Sequence, residues 1–420
     1  MSIFHRRPSV PRAVSLDIGT EFVKALVFEV VEEHGVVIGS GRERQRLSDM
    51  HGGTVTDIGG VIVTAAKAVE RAFDEAGCEP EAVIVGIAGE LVKGNTTTTT
   101  ISRKQPHAAI TQHELRDIIA EAQRLILQKS RKELAWETGY AEIDVQLVNS
   151  AVVNVKIDGY AVTNPIGFQG RQVEVGIYTA YAPSVHVGAI QSIADGLGLD
   201  LLSIATEPYA VARCFGNDES GDISSIFIDV GGGTTDIAVV RSGGLEGTKM
   251  FALGGRVFTK RIGSEMKLPF REAEQLKLAY SNETISKAEH SQIVSTIAND
   301  TEVWLSGVEL ALEEFCNSER FQDNRLLPNR IYLCGGGSLL PDLKKALETK
   351  NWTKGLPFAK TPDVQYIKPE HISNIIDKTG SLQGVQDVTP MALANIALDL
   401  IGSEATSTKA MNKIFKGLRA

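Results

Sequence analysis

The stretch that most limits what this chain can become is residues 226 to 240, IFIDVGGGTTDIAVV. An apolar, β-branched run reaches Asp229, three glycines follow, and after Thr234, Thr235 and Asp236 a second apolar run begins. Only glycine turns this tightly at low cost, so the pattern predicts a strand, a glycine turn and a returning strand. Backbone N–H groups in such a turn can approach an anion closely, as phosphate-binding nests do. Gly231, Gly232 and Gly233 would supply those donors, and Thr234 and Thr235 add hydroxyls. Asp229 and Asp236 would repel bare phosphate. Their presence points to a hydrated divalent cation between carboxylate and phosphate, which suits Mg²⁺ because it keeps several waters. A plain glycine hairpin with polar neighbours would read the same way if it occurred once.

It does not occur once. Residues 14 to 28, VSLDIGTEFVKALVF, repeat the arrangement with Asp17, Gly19 and Thr20. Lys24 lies on the returning strand, where a long cation can reach back to a phosphate. Two such hairpins half a chain apart imply an internal duplication, and facing each other they would hold one polyphosphate from both sides. Asp17 joins Asp229 and Asp236 as a candidate to hold Mg²⁺ through water. A third glycine cluster, Gly335, Gly336, Gly337 and Ser338, follows the apolar run Ile331 to Cys334 and precedes a helical pattern. No GK[ST] follows it, which excludes a Walker loop. A strand ending in GGGS at a helix start offers a flat backbone surface to a base or ribose.

The three motifs in this order resemble the phosphate 1, phosphate 2 and adenosine motifs of the actin-like ATPase superfamily. The resemblance implies an α/β fold: two duplicated actin-like (ribonuclease H-like) domains around a nucleotide cleft that takes ATP and Mg²⁺. It implies further roles by position. Glu207, in Thr206-Glu207-Pro208, would orient an attacking water beside Asp229 as the catalytic groups, and Glu274 and Lys277 would contact the nucleoside. Slow hydrolysis is implied less firmly than binding.

Residues 89 to 167 read as an insertion without phosphate-binding residues. Thr96 to Thr100 reads as a solvated β edge or loop, Thr111 with Glu114 opens a helix as a capping box, and strands are predicted at 143–150 and 152–157. An insert here, containing ITQHEL and leading out through DGYAVTNPIGFQG, resembles the bacterial cell-division protein family FtsA. That resemblance implies an actin-like polymer of the protein with itself and tethering of the tubulin-like FtsZ through its C-terminal peptide. It also implies other division partners at the insert, and a place on the cytoplasmic face of the inner membrane at the division site. A pilus-assembly scaffold of the PilM type and an actin-fold sugar kinase are the alternatives.

The expected division is 1–88 with 168–207 as first domain, 89–167 as insert, 208–247 with 330–401 as second domain, and 248–329 as a helical nucleoside-contacting subdomain. Residues 356–388 show no periodicity. Residues 402–420 read as a polar linker, then a helix with Met411, Ile414, Phe415 and Leu418 on one arc and Lys409, Lys413, Lys416 and Arg419 opposite. A basic amphipathic helix suits anionic lipid. A net charge of −9 argues against general nucleic-acid binding. Four cysteines without CxxC spacing read as buried residues of a reducing, cytoplasmic compartment.

Overall fold

A computed structural model describes residues 10–89, 91–137, 144–215, 224–317, 326–349 and 351–403. The helix expected at 409–420, with Met411, Ile414, Phe415 and Leu418, lies outside the described residues. Two sheets dominate. The first orders its strands Asp200–Thr206, Ala82–Ile87, Arg12–Ile18, Phe22–Val31, His34–Arg44 and Ile375–Asp377. The second runs Asp363–Tyr366, Arg330–Cys334, Ser225–Val230, Thr235–Arg241, Gly244–Phe251, Lys93–Ser102, Gln172–Pro183, Val145–Ile157 and Tyr160–Ala161.

Both glycine hairpins form as expected. Arg12–Ile18 pairs antiparallel with Phe22–Val31, setting Asp17 opposite Lys24. Ser225–Val230 pairs antiparallel with Thr235–Arg241, setting Asp229 opposite Asp236. The strand before the third glycine cluster runs parallel beside the second hairpin, with Cys334 abreast of Asp229. The second and third glycine turns therefore lie at the same ends of neighbouring strands, and the first turn belongs to the other sheet.

The helices divide into layers. Ile58–Ala76 and Ser184–Gly196 cover the outer face of the first sheet in one apolar core. The former is capped by Asp57, which accepts from the Gly60 N–H, and is ended by left-handed Gly77. Gly255–Met266, Phe270–Ser281, Lys287–Asn317 and Pro341–Glu348 cover the outer face of the second sheet. Between the sheets lie two helices, Glu207–Arg213 and Val388–Ser403, in a core that takes Leu26 and Phe28 from one sheet and Phe227 and Val240 from the other. Residues 388 to 398 are buried on every side. A sequence as apolar as MALANIAL, whose one polar residue Asn395 donates to the Cys214 Sγ at 3.2 Å, suits that position. Arg213 and Asp399 join the two helices near their C-terminal ends at 2.7 Å.

The inserted segment departs from expectation in three ways. Lys93–Ser102 pairs with Gly244–Phe251 through Asn95 opposite Gly247 and Gly94 opposite Thr248, so it extends the second sheet. Gly94 permits this, since a Cβ there would collide with the Tyr178 and Thr248 hydroxyls. The threonine run is accordingly a strand, with Thr97 buried and its neighbours more open. Second, Gln172–Pro183, expected in the first domain, sits between Lys93–Ser102 and Val145–Ile157. A strand this uniformly buried needs partners on both edges and cover on both faces, so an insert boundary at 167 cuts through a sheet. Third, the predicted break near residue 151 is absent. Val145–Ile157 is one strand, and its register shifts near Gly176 and Ala180 absorb the irregularity as bulges.

In the unassigned stretch, Asp363–Tyr366 and Ile375–Asp377 close the edges of the two sheets. Strands of three and four residues are too short to show a period.

Candidate functional site

A cavity of about 380 Å³ opens where the glycine turns converge between the two sheets. Asp17, Gly19, Thr20 and Lys24 line it from the first hairpin, and Asp229, Gly231, Gly232, Thr234 and Asp236 from the second. Glu207, Glu274, Lys277, Gly335, Gly336 and Gly337 complete the part of the wall expected from sequence. The turns touch: a Cβ on Gly232 would strike Glu21, and one on Gly233 would strike Thr20. Gly335 has φ +79°, and a Cβ there would drive into Asp229 and Val230. Glycine at these positions allows the close approach.

Three expected contacts stand behind the wall. Thr235 is fully buried, donates its hydroxyl to the Leu253 carbonyl at 2.6 Å and accepts from the Trp304 indole at 2.9 Å. Strand alternation turns it away from the face that carries Asp236. Gly233 packs against Thr20, and the buried Ser338 hydroxyl donates to the Gly335 carbonyl at 2.7 Å. These three shape the turns and do not line the cavity.

The electrostatics are uneven. Lys24 donates to Asp17 at 2.8 Å; burial opposes its charge, but Asp17 outweighs burial and holds the ammonium above its usual range. Asp229 accepts from Thr389 at 2.5 Å, yet burial keeps its carboxyl raised. Asp236 accepts from Thr234 at 3.0 Å. Burial and then the charge of Asp229 push it well up. Glu207, first residue of its helix, is raised well above the carboxylate range by burial and then by Asp17, Asp236 and Asp229. Four buried carboxylates thus share one ammonium.

That donor set fits a hard, hydrated cation. The Asp236 Oδ1 is buried without a hydrogen-bond partner, and every nearby acidic ligand is oxygen, as Mg²⁺ prefers. Among the described residues no three His, Cys, Asp or Glu side chains group closely enough to hold a metal ion directly. Glu274 and Lys277 pair at 2.8 Å, and Lys277 also donates to the Thr259 hydroxyl and the Gly255 carbonyl. Both are wall groups already held in place.

Several wall residues escaped the sequence reading. Arg256 binds Glu21 at 2.7 Å and the Thr20 carbonyl at 2.5 Å, tying the helix after the second hairpin to the first turn. Phe22, Arg42, Gln386 and Thr389 also line the cavity. The Gly-Gly-Arg at 254–256 was a signal for the first of these. The others are revealed only by register and tertiary packing.

The sequence pattern of the family described as "FtsA: Cell division protein FtsA" matches residues 226–389. The cell division protein FtsA of Neisseria meningitidis serogroup B is 27% identical over 266 residues, 63% of this chain and 60% of that protein. That of Enterococcus hirae is 26% identical over 341 residues, 78% of this chain and 74% of that protein. That of Bacillus subtilis is 23% identical over 342 residues, with the same coverage. Among solved structures, the PilM-PilN type IV pilus biogenesis complex aligns with a TM-score of 0.61 at 18% identity, covering 93% of this chain and 98% of that one. MreB5 of Spiroplasma citri bound to ADP aligns with a TM-score of 0.50 at 13% identity, covering 95% and 99%. The structural matches carry the fold and the sequence matches a likeness: the chain has the actin-like fold and is similar in sequence to the FtsA cell division proteins.

Proposed function

We propose that this chain works in cell division as an FtsA-type protein that binds ATP with Mg²⁺, associates with itself as an actin-like polymer, and links FtsZ to the inner membrane. The observation that carries the reading is the pair of glycine hairpins facing one cavity, Asp17 and Lys24 on one, Asp229 and Asp236 on the other. Thr20, Gly19 and Lys24 would hold the phosphates from one side and the Gly231–Gly232 turn with Thr234 from the other. Bound Mg²⁺ would neutralise phosphate charge. Glu207 would hold a water beside the terminal phosphate. Glu274 and Lys277 would border the nucleoside. Self-association and division partners fit the likeness to FtsA, with the insert as one contact surface. No helix among the described residues is long and apolar enough to cross a membrane, and residues 409–420 would supply a peripheral attachment through anionic lipid. The likeness to the pilus complex is one of fold, while the sequence relatives are division proteins, which favours division over the pilus scaffold.

Equilibrium binding of ATP to the full chain, with and without Mg²⁺, tests the core of this reading. Micromolar, Mg²⁺-dependent binding with little turnover is expected; no binding sinks it. A sugar-dependent burst of ATP consumption would move the chain to the kinases. Co-sedimentation with anionic liposomes, and capture of the FtsZ C-terminal peptide, test the outer claims. Phe415→Glu should abolish the former while ATP binding survives.

A further inference from the structure

Four basic side chains line the cavity: Lys24, Arg42, Arg256 and Lys277. Three are already neutralised, Lys24 by Asp17 at 2.8 Å, Arg256 by Glu21 at 2.7 Å and Lys277 by Glu274 at 2.8 Å. Arg42 differs. The acidic groups that act on it, Asp387, Asp17 and Glu21, do so across space and without a hydrogen bond. Among the described residues none forms an ion pair with it. Its guanidinium lies over the Phe22 ring, 3.7 Å from the centroid, while the residue as a whole is exposed.

Register makes this placement informative. Across the first sheet Asp17 stands opposite Lys24, and Lys24 opposite Arg42. Side chains directly opposite in an antiparallel pair share a face with Cβ atoms about 5 Å apart, where like charges destabilise. Along these three strands the row reads acid, base, base. Stacking on Phe22 holds the guanidinium plane while leaving edge N–H donors for a planar, bidentate contact. Arginine in that state is matched to a phosphoryl oxyanion. Arg42 stands opposite Lys24 on the neighbouring strand, so it belongs to the end of the cavity that the first hairpin forms.

We propose that Arg42 binds the outermost phosphoryl group in the cleft, either the terminal phosphate of the nucleotide or an inorganic phosphate at the same place; the first source rests on the ATP reading above. The test measures ATP, ADP and inorganic phosphate binding, with Mg²⁺, to the full-length wild type, Arg42→Gln and Arg42→Lys. For a terminal-phosphate contact, Arg42→Gln weakens ATP by about ten- to a hundredfold, the worth of a charge-assisted hydrogen bond, and leaves ADP within about twofold. Arg42→Lys recovers part of the loss. For free phosphate, ATP and ADP hold while phosphate binding disappears in Arg42→Gln. Unchanged affinity for all three ligands overturns the proposal. So does an equal loss of ATP and ADP with phosphate unaffected, because the stack on Phe22 would then be only structural. A wild type that binds phosphate through Arg42 but no ATP removes the nucleotide reading and keeps the anion site.

Discussion

The two glycine hairpins share a backbone and differ in charge. In the first, the residue opposite the aspartate is Lys24, and the pair neutralises itself at 2.8 Å. In the second, the residue opposite Asp229 is another aspartate, Asp236, with one oxygen lacking any hydrogen-bond partner. One turn brings a cation to the cavity; the other lacks one. A duplicated scaffold has thus been divided into a half that is complete as folded and a half that a cation would complete. Removing charge at equivalent positions should have opposite effects on the ligand-free fold.

The largest effect is expected at Lys24. Lys24→Met leaves Asp17 buried beside three other carboxylates without its ammonium, and breaking a buried pair from one side costs about 3–5 kcal/mol. Denaturant titration of the ligand-free protein should register that loss. A change under about 0.5 kcal/mol would show that the first hairpin is not self-sufficient.

Next comes the contact that locks the second hairpin to the third glycine cluster. Gly335→Ala meets both a positive φ and the Asp229 carboxylate, so strain and overpacking together should cost about 2–5 kcal/mol. A variant as stable as wild type would mean the turn relaxes freely.

Asp229→Ala addresses ligand more than fold. Losing a carboxylate that orders the ion's water shell should weaken ATP about ten- to a hundredfold in Mg²⁺ and much less in its absence. Titrations at fixed nucleotide with varied Mg²⁺ separate the two. Equal losses in both conditions would assign Asp229 to packing against Thr389 and Cys334.

How much of this was legible in the sequence follows from which signals are local. The hairpins were legible because β-branched runs and glycines announce strands and turns within fifteen residues. The place of Lys24 on the returning strand followed from that spacing, but its pairing with Asp17 came only with the register. Thr235 was misread although period-2 alternation already separates it from Thr234 and Asp236; a hydroxyl beside a glycine turn outweighed parity. The insert's union with the second sheet left no trace, because Asn95 meeting Gly247 depends on strands about 150 residues apart. Arg42 lies far in sequence from Gln386 and Thr389, and only packing of both sheets on the Val388–Ser403 helix brings them to one wall.

The smallest expected effect is the most direct test of the second hairpin's incompleteness. Burial and the facing Asp229 raise the Asp236 carboxyl well above its ordinary 3.8. A carboxyl raised in the folded state keeps its proton to higher pH folded than unfolded. Its contribution to stability is therefore full below the ordinary value and is lost as pH rises through the raised one. Asp236→Asn cannot lose that contribution. It should match wild type near about pH 4 and become the more stable protein toward about pH 8, where relief of facing like charges is worth about 0.5–1 kcal/mol. Lys24→Met goes the other way at neutral pH, so matched positions of the two hairpins would carry opposite signs. Adding Mg²⁺ with ATP should shrink the advantage of Asp236→Asn, because a bound cation relieves the same repulsion in the wild type. Melting curves of both proteins across that pH range, with and without ligand, settle the point. An Asp236→Asn protein that is less stable at every pH would mean that Asp229 and Asp236 share a proton already, and that the second hairpin is complete without a cation.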